Sequence, residues 1–149
     1  MNDAPDDREI VVSRRFDAPR ELIFAAFTER EHIEQWWIPP GATIEAWEGG
    51  AEGSWRYNMT GPDGRPMPFK IRYIERDEPG RLVYEYGADI PDGPSPVRTT
   101  VTFDEQGGKT DVTLRLRFAT AAEREQAIKH GARGGAKQAL NGLAAYLEG

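Results

Sequence analysis

The stretch that decides the fold is Arg14–Pro40, which reads RRFDAPRELIFAAFTEREHIEQWWIPP. It continues an alternating segment over residues 9–16, whose apolar side chains recur at every second position and predict a strand. Pro19 breaks that strand and suits the first turn of a helix, which is predicted over Arg20–Phe27. The run Thr28–Glu31 fits a capping box, so a second helix is predicted from there to the two prolines that close the stretch.

The composition predicts a single domain and excludes several kinds of chemistry. The chain has 149 residues, no cysteine and a formal net charge of −6. The lack of cysteine excludes disulfides and thiolate metal sites, and the acidic balance argues against a general nucleic-acid binder. No apolar run reaches the roughly 20 residues of a membrane helix, and the acidic start is unlike a signal peptide. We expect a cytoplasmic protein, with no membrane partner, that has a disordered leader over residues 1–8 and one domain over 9–149.

Repeated one-sided alternation between residues 42 and 118 predicts six more strands, and therefore an antiparallel sheet with one wet face. Turn signals separate them at Gly61-Pro62-Asp63-Gly64, Pro79-Gly80 and Gln106-Gly107-Gly108-Lys109. Arg14 is the exception in a buried phase that is otherwise nearly free of ionisable groups. The predicted strands are Ala42–Glu48, Gly53–Thr60, Pro68–Arg76, Arg81–Ala88, Val97–Asp104 and Thr110–Phe118.

A second capping box, Thr120-Ala121-Ala122-Glu123, predicts one long helix that runs to Leu147. Glycine inside a helix costs up to about 1 kcal/mol relative to alanine, so Gly131, Gly134 and Gly135 need a physical reason. Three reasons remain open: a close approach of helix to sheet, vacant space for a ligand, or a break near Gly134-Gly135. The predicted apolar stripe is bulky only near its end and comprises Ile128, Ala132, Gly135, Ala136, Ala139, Leu140, Leu143, Tyr146 and Leu147.

Several short motifs follow one another along the chain. They are Arg14-x-Phe16-Asp17-Ala18-Pro19, Glu52-Gly53-Ser54-Trp55-Arg56-Tyr57, Gly61-Pro62-Asp63-Gly64, Ile74-Glu75-x-x-Glu78-Pro79-x-Arg81-Leu82, Gly107-Gly108-x-Thr110 and Leu140-x-x-Leu143-Ala144-Ala145-Tyr146-Leu147. In this order and spacing they resemble the START-like (SRPBCC) superfamily, and within it the bacterial stand-alone branch named for the activator of Hsp90 ATPase. The resemblance covers residues 9–149 and implies an α+β helix-grip fold. In that fold a seven-stranded antiparallel sheet curls around the C-terminal helix, and two short helices follow the first strand.

The resemblance also implies a pocket between the sheet, the small helices and the long helix. Relatives often carry a Gly-Trp pair where this chain has Gly135 and Ala136, which predicts a larger pocket; a second departure is Glu52-Gly53 in place of a double glycine. The alternative is that the same inward side chains simply form the core. Tyrosines on neighbouring strands favour a wet or liganded cavity, because a buried hydroxyl needs a partner. The expected lining is Trp36, Trp55, Tyr57, Met59, Phe69, Ile71, Tyr73, Tyr84, Tyr86, Val101, Leu114, Ala132, Ala136 and Arg14.

Ionisable side chains give little support for catalysis. Arg14 has two interpretations: an anchor for a ligand carboxylate through its bidentate guanidinium, or a structural ion pair or an edge position open to water. His32 and His130 are the only histidines, and both are predicted to be exposed. Neither fits a metal site or a triad, and the run Gly131–Gly135 lies inside a helix rather than in a phosphate loop. No cofactor, metal ion or catalytic residue is predicted.

Three functions follow, and we favour the first. It is non-catalytic binding of a small hydrophobic or aromatic molecule in the cavity between the sheet and the C-terminal helix. The second is a protein-interaction module related to the Hsp90 co-chaperone, although the chain lacks the extra N-terminal domain of such activators. The third is a cyclase- or hydrolase-type enzyme that uses the same cavity and needs an ionisable group with a perturbed pKa there. Homodimer formation is left open.

Overall fold

The computed structural model describes residues 7–37, 42, 44–48, 53–60, 64–91, 93 and 95–148, apart from the side chains of Met59, Thr60 and Glu148. Three sequence predictions therefore lie outside the described residues: most of the leader, the two prolines after the double tryptophan, and most of the first predicted turn. The helices and strands are β1 (Glu9–Phe16), α1 (Arg20–Thr28), α2 (Arg30–Trp36), β2 (Ile44–Glu48), β3 (Ser54–Thr60), β4 (Pro66–Asp77), β5 (Arg81–Ala88), β6 (Val97–Gln106), β7 (Lys109–Arg117), α3 (Ala121–Lys129) and α4 (Ala132–Glu148).

The strands form one antiparallel sheet of seven strands in the order β1-β7-β6-β5-β4-β3-β2. Strands β2 to β7 therefore pair with their neighbours along the chain, while β1 pairs with β7. Gly107 and Gly108 join β6 to β7 with φ values of 62° and 80°, which is the backbone of a tight two-residue hairpin turn. The predicted α+β helix-grip architecture is confirmed.

One face of this sheet, called here the inner face, packs against the helices. Its strand residues alternate with outward polar residues, as the period of two requires. Members at the centre of the sheet, such as Leu82, Val101 and Ile71, have no exposed surface. A bulge in β4 between Tyr73 and Glu75 shifts the register with β5, so the alternation of that strand changes beyond Tyr73.

The predicted capping box at Thr28 is wrong. Thr28 is the last residue of α1, and its hydroxyl donates to the carbonyl of Phe24 at 3.0 Å. A hydroxyl used inside the first helix cannot cap the second one. Glu29 adopts an extended conformation between the two helices, and α2 begins at Arg30.

The prediction of one continuous C-terminal helix is also wrong. Thr120 caps α3 as expected, accepting the backbone N–H of Glu123 at 3.1 Å. The helix then stops because Gly131 adopts a φ of 85°, in the left-handed region that glycine tolerates. Among the three explanations for the glycines a break is correct, but it lies at Gly131 rather than at Gly134-Gly135. Those two glycines are exposed within α4, and an added Cβ would meet nothing within 4 Å.

Helix α4 is anchored by its C-terminal half. Leu140, Leu143 and Ala144 are 1%, 0% and 2% exposed, and the principal contacts of the helix are with β1, α2 and α3. Its first half presents only half-buried Ala132 and Ala136 toward the core. Gly135 and Ala139, which were predicted on the apolar stripe, are exposed instead.

Candidate functional site

Aromatic rings on three adjacent strands form a stack on the inner face. Tyr57 on β3 is paired with Phe69 on β4, and their ring centroids lie 5.8 Å apart at an interplanar angle of 24°. Phe69 stacks in turn on Tyr86 of β5 at 5.5 Å and 12°. The small angles mean that the three rings stand nearly parallel, in the stacked arrangement that aromatic pairs favour when offset.

Trp37, at the end of α2, packs on the inner face beside this stack. Its ring lies 5.1 Å from that of Trp55 and 5.4 Å from that of Tyr84. Trp36 turns toward α1 instead, where its indole N–H donates to the carbonyl of Ala26 at 2.8 Å and its ring meets Phe27 at 5.1 Å. The second tryptophan of the pair, rather than the first, therefore reaches the sheet.

The tyrosine hydroxyls find most of their partners within the protein. Tyr73 donates to the carbonyl of Phe27 at 2.7 Å and accepts the indole N–H of Trp55 at 3.1 Å. Tyr84 lies opposite the buried Thr99 on β6. The hydroxyls of Tyr57 and Tyr86 bond to each other at 3.0 Å. The argument that every buried hydroxyl requires water or a ligand therefore does not hold for Tyr73.

Burial keeps these tyrosines protonated. It raises the pKa of Tyr73 to about 12, against smaller lowering effects from the Trp55 hydrogen bond and the Arg76 charge. Burial likewise raises the pKa of Tyr57, Tyr84 and Tyr86 above the usual tyrosine value. A phenol that is harder to ionise than normal is a poor proton acceptor near neutral pH, so the hydroxyls act as hydrogen-bond donors and acceptors.

At one end of the inner face the inward side chains are more exposed to solvent than elsewhere, and we call this region the open end. Helix α3 lies at this end, since the Glu123 carboxylate accepts the backbone N–H of Ser95 just before β6, and Arg124 donates to the carbonyl of Glu9 at 2.7 Å. The side chains that form the open end are mainly apolar and only half-buried, although they pack against the core. The open end comprises Phe69, Tyr86, Val97 and Leu116 from the strands, and Ile128, Ala132 and Ala136 from the helices.

The family model described as Activator of Hsp90 ATPase homolog 1-like protein matches residues 17–148. The chain belongs to this family. Solved structures of similar fold include a protein from Mycobacterium smegmatis, with 25% identity, a TM-score of 0.77 and coverage of 98% of this chain and 94% of that one. A protein from Staphylococcus epidermidis shows 28% identity, a TM-score of 0.75 and coverage of 97% and 92%. For a protein from Arthrobacter aurescens the identity is 23%, the TM-score 0.83 and the coverage 97% and 90%. No curated protein matches the chain.

In this Activator of Hsp90 ATPase homolog 1-like domain, the residues predicted to line a pocket divide into two sets. One set belongs to the closed core, with exposures of 6% or less. The second set, Phe69, Tyr86, Ala132 and Ala136, lies at the open end, whereas Trp36 packs on α1 and the side chain of Met59 lies outside the described residues. The first set is Trp55, Tyr57, Ile71, Tyr73, Tyr84, Val101 and Leu114. Tyr57 borders the open end, because its ring stacks on Phe69 and its hydroxyl bonds to that of Tyr86.

Arg14 is tied to α4 by a hydrogen bond rather than an ion pair. Its Nη1 donates to the Asn141 side-chain oxygen at 2.8 Å, and its guanidinium lies 5.6 Å from the centre of the Phe16 ring. Strand β1 is separated from the Tyr57–Tyr86 pair by β7 and β6. The interpretation of Arg14 as a structural residue is therefore favoured over its role as a carboxylate anchor.

The two histidines differ in their surroundings. His130 is exposed as predicted, but His32 is half-buried, because Tyr146 of α4 packs against it. His32 Nδ1 lies 2.7 Å from the Tyr146 hydroxyl, and the two rings meet edge to face at 5.9 Å. Within the described parts of the chain, no group of three or more His, Asp or Glu side chains could hold a metal ion, and no helix is long and apolar enough to cross a membrane.

The predicted pocket lining omits two inner-face residues, although the sequence carries a signal for each. Trp37 follows the buried Ile33 by four positions, so the helical period already places it on the same face of α2. Thr99 shares the phase of Val101 and Phe103 on β6. A threonine in an apolar phase indicates a polar partner nearby, and Thr99 lies opposite Tyr84 of β5.

Proposed function

We propose that this domain binds a small, largely apolar molecule at the open end of the inner face, between the sheet and α4. The observation that carries the proposal is the contrast in burial along the inner face. At the centre of the sheet the inward side chains are closed off from solvent, but at the open end apolar side chains on both walls remain half-buried. Ligand sites are commonly apolar recesses of this kind, with a few polar groups that orient the ligand.

The wall supplied by α4 supports this proposal. Ala132 and Ala136 precede Leu140 by two turns and one turn on the same helix face. Leu140 and Leu143 fill the space beneath the second half of the helix, with exposures of 1% and 0%. The methyl groups of the two alanines fill less volume under the first half than these leucines fill under the second, which supports room for a ligand there.

The chemistry of the open end supports binding rather than catalysis. Among the seven side chains named as the open end, only Tyr86 is titratable, and its pKa is raised by burial. Glu123 and Arg124 of α3 lie at the same end, but their side chains bond to the backbone of Ser95 and Glu9. A protonated phenol orients a ligand through a hydrogen bond but does not remove a proton from it. Apolar contacts and one orienting hydrogen bond are sufficient for a binding role.

A large side chain at position 136 tests the proposal. We expect Ala136→Trp to weaken binding of the neutral fluorescent probe N-phenyl-1-naphthylamine by about tenfold or more, because the indole occupies the space of the ligand. Fluorescence titration of the purified protein measures the dissociation constant, and native mass spectrometry of the same sample identifies any molecule that co-purifies. Ala139→Trp is the matched control, because Ala139 is exposed on the same helix.

The control is expected to bind the probe as the wild-type protein does. Equal affinity in Ala136→Trp and Ala139→Trp would place the probe elsewhere, and the proposal would then be wrong. Circular dichroism melting of both variants shows whether the fold is retained.

A further inference from the structure

The hydrogen-bond inventory of Tyr57 and Tyr86 is incomplete. Each hydroxyl has one hydrogen to donate and two lone pairs to accept with. The two hydroxyls lie 3.0 Å apart and share one hydrogen bond, which uses one of their two hydrogens. Whichever tyrosine donates, the other keeps a hydrogen that no described contact accepts.

The neighbouring side chains that the structure describes do not supply the missing acceptor. Trp37 is a polar neighbour of the Tyr57 hydroxyl, but its indole N–H can only donate. Phe69, which stacks on both rings, has no polar atom. Among the described residues, the pair therefore keeps one hydrogen without an acceptor.

Tyr73 shows what a complete inventory looks like on the same face. It donates its hydrogen to the carbonyl of Phe27 and accepts from Trp55. Both of its roles are filled by groups of the protein, so it needs nothing from outside. Tyr57 and Tyr86 differ from it in having one donor too many.

The charges around the pair restrict the ligand further. Arg14 is held by Asn141 at the edge strand β1, and the guanidinium of Arg76 lies 5.3 Å from the centre of the Tyr73 ring, past the bulge in β4. Arg56 of β3 forms an ion pair with Asp89 at 2.8 Å. No cation among the described residues contacts the hydroxyl pair, so a carboxylate there would be desolvated without a counter-charge.

We propose that the ligand of the open end is a neutral aromatic molecule that presents a carbonyl-type oxygen to the hydroxyl pair of Tyr57 and Tyr86. This inference rests on the proposed function. The nearly parallel rings of Tyr57, Phe69 and Tyr86 offer a planar ligand a surface on which to stack. The free hydroxyl hydrogen would orient the carbonyl, and the absence of a nearby cation would select against acids.

Three probes of similar shape separate the contributions of ring stacking, of the hydrogen bond to a carbonyl oxygen and of ligand charge. Benzophenone has two phenyl rings and a neutral carbonyl, diphenylmethane has a methylene group in its place, and diphenylacetate adds a carboxylate. Isothermal titration calorimetry on the wild-type chain should show benzophenone binding on the order of fivefold tighter than diphenylmethane, the equivalent of one neutral hydrogen bond. Diphenylacetate should bind more weakly than benzophenone.

The inventory also makes a distinctive prediction for variants. Tyr57→Phe and Tyr86→Phe each remove one hydrogen and one partner, so one free donor remains and the preference for benzophenone should persist. The double variant Tyr57→Phe/Tyr86→Phe has no hydroxyl left, and the preference should disappear. Tyr73→Phe is the matched control, because its hydroxyl is already satisfied within the protein, and it should leave the preference unchanged.

The outcomes separate the two proposals. If neither benzophenone nor diphenylmethane binds, both the proposed function and this inference are wrong. If the two bind equally well to the wild-type chain, or if the preference survives in the double variant, the open end remains a site and the hydroxyl inference is overturned. Tighter binding of diphenylacetate would overturn the neutral class. Melting curves of all variants show which of them are folded. If the double variant does not fold, the persistence of the preference in the two single variants still tests the inference.

Discussion

At the scale of single residues, the Tyr73 hydroxyl joins three parts of the molecule. It stands on β4, donates to the backbone of α1 and accepts from a tryptophan on β3. Its inward orientation follows from the alternation of β4 and could be predicted from the sequence. Its partners could not, because Phe27 is 46 positions away along the chain and only the packing of α1 on the sheet brings the two together.

Burial of the tyrosines predicts a loss of stability at high pH. The pKa of Tyr73 rises from 10.0 to about 12, so above pH 10 the unfolded chain releases this proton more readily than the folded one. The stabilisation is complete below pH 10 and is lost as the pH rises toward 12. Urea denaturation at intervals across this window measures the free energy of unfolding.

Tyr73→Phe isolates the contribution of this residue. We expect its free energy of unfolding to fall less steeply with pH than that of the wild-type protein, by up to about 1.4 kcal/mol per pH unit between pH 10 and 12. At pH 8 the two slopes should be the same, which provides the control. Parallel slopes throughout the window would show that the Tyr73 hydroxyl ionises normally in the folded state.

At the scale of helices and strands, the break between α3 and α4 is the main departure from the sequence prediction. Capping and apolar periodicity fit both helices, so a continuous helix was a reasonable reading of the pattern. The break between the helices depends on the backbone conformation of one glycine, Gly131, which has a φ of 85°. Three glycines lie close together here, and a sequence pattern does not distinguish the one that adopts a left-handed conformation from those that remain helical.

Replacing Gly131 and Gly134 by alanine tests whether the helix breaks at Gly131, because the two changes should shift the free energy of unfolding in opposite directions. Gly131→Ala should destabilise the protein by about 1–2 kcal/mol, because an L residue is strained at positive φ. Gly134→Ala should stabilise it by about 0.5–1 kcal/mol, because this position is helical and an added Cβ meets nothing within 4 Å. Thermal and urea unfolding measure both changes, and effects of the same sign would contradict the break at Gly131.

At the scale of the whole molecule, Glu9 connects the start of the sheet to its last strand and to α3. Its carboxylate, whose side chain is 10% exposed, lies 3.1 Å from the Arg115 guanidinium and 3.6 Å from that of Arg117. Its backbone carbonyl accepts from Arg124 of α3. Sequence alternation placed acidic residues outward in general, but the burial of this one depends on α3 folding back over the end of β1.

We expect Glu9→Gln to lower the free energy of unfolding by about 1–3 kcal/mol, since it removes the acceptor charge from a largely buried pair of contacts. Glu125→Gln is the matched control, because that side chain is 61% exposed in its pair with Arg124, and its change should stay below about 0.5 kcal/mol. Urea denaturation measures both variants. Equal effects would mean that the Glu9 cluster is no stronger than an ordinary surface pair.

The architecture of the whole molecule was more predictable than its candidate site. The strands, hairpins and flanking helices follow from alternation and turn residues such as Gly107-Gly108, which are local signals, whereas the pairing of β1 with β7 does not. The division of the inner face into a closed core and an open end is not local. It depends on the direction in which Trp37 inserts and on the position of α4 above the sheet, and neither is encoded in the period of a single strand.

The pairing of β1 with β7 has a consequence for the order of events during synthesis. Residues 9–16 leave the ribosome early, yet their partners at 109–117 are made only after six strands have been translated. Hairpins between sequential strands close over short loops, whereas this contact closes a loop of nearly the whole domain. The first strand must therefore wait unpaired while the rest of the sheet assembles, and during that interval its apolar face is a potential target for chaperones.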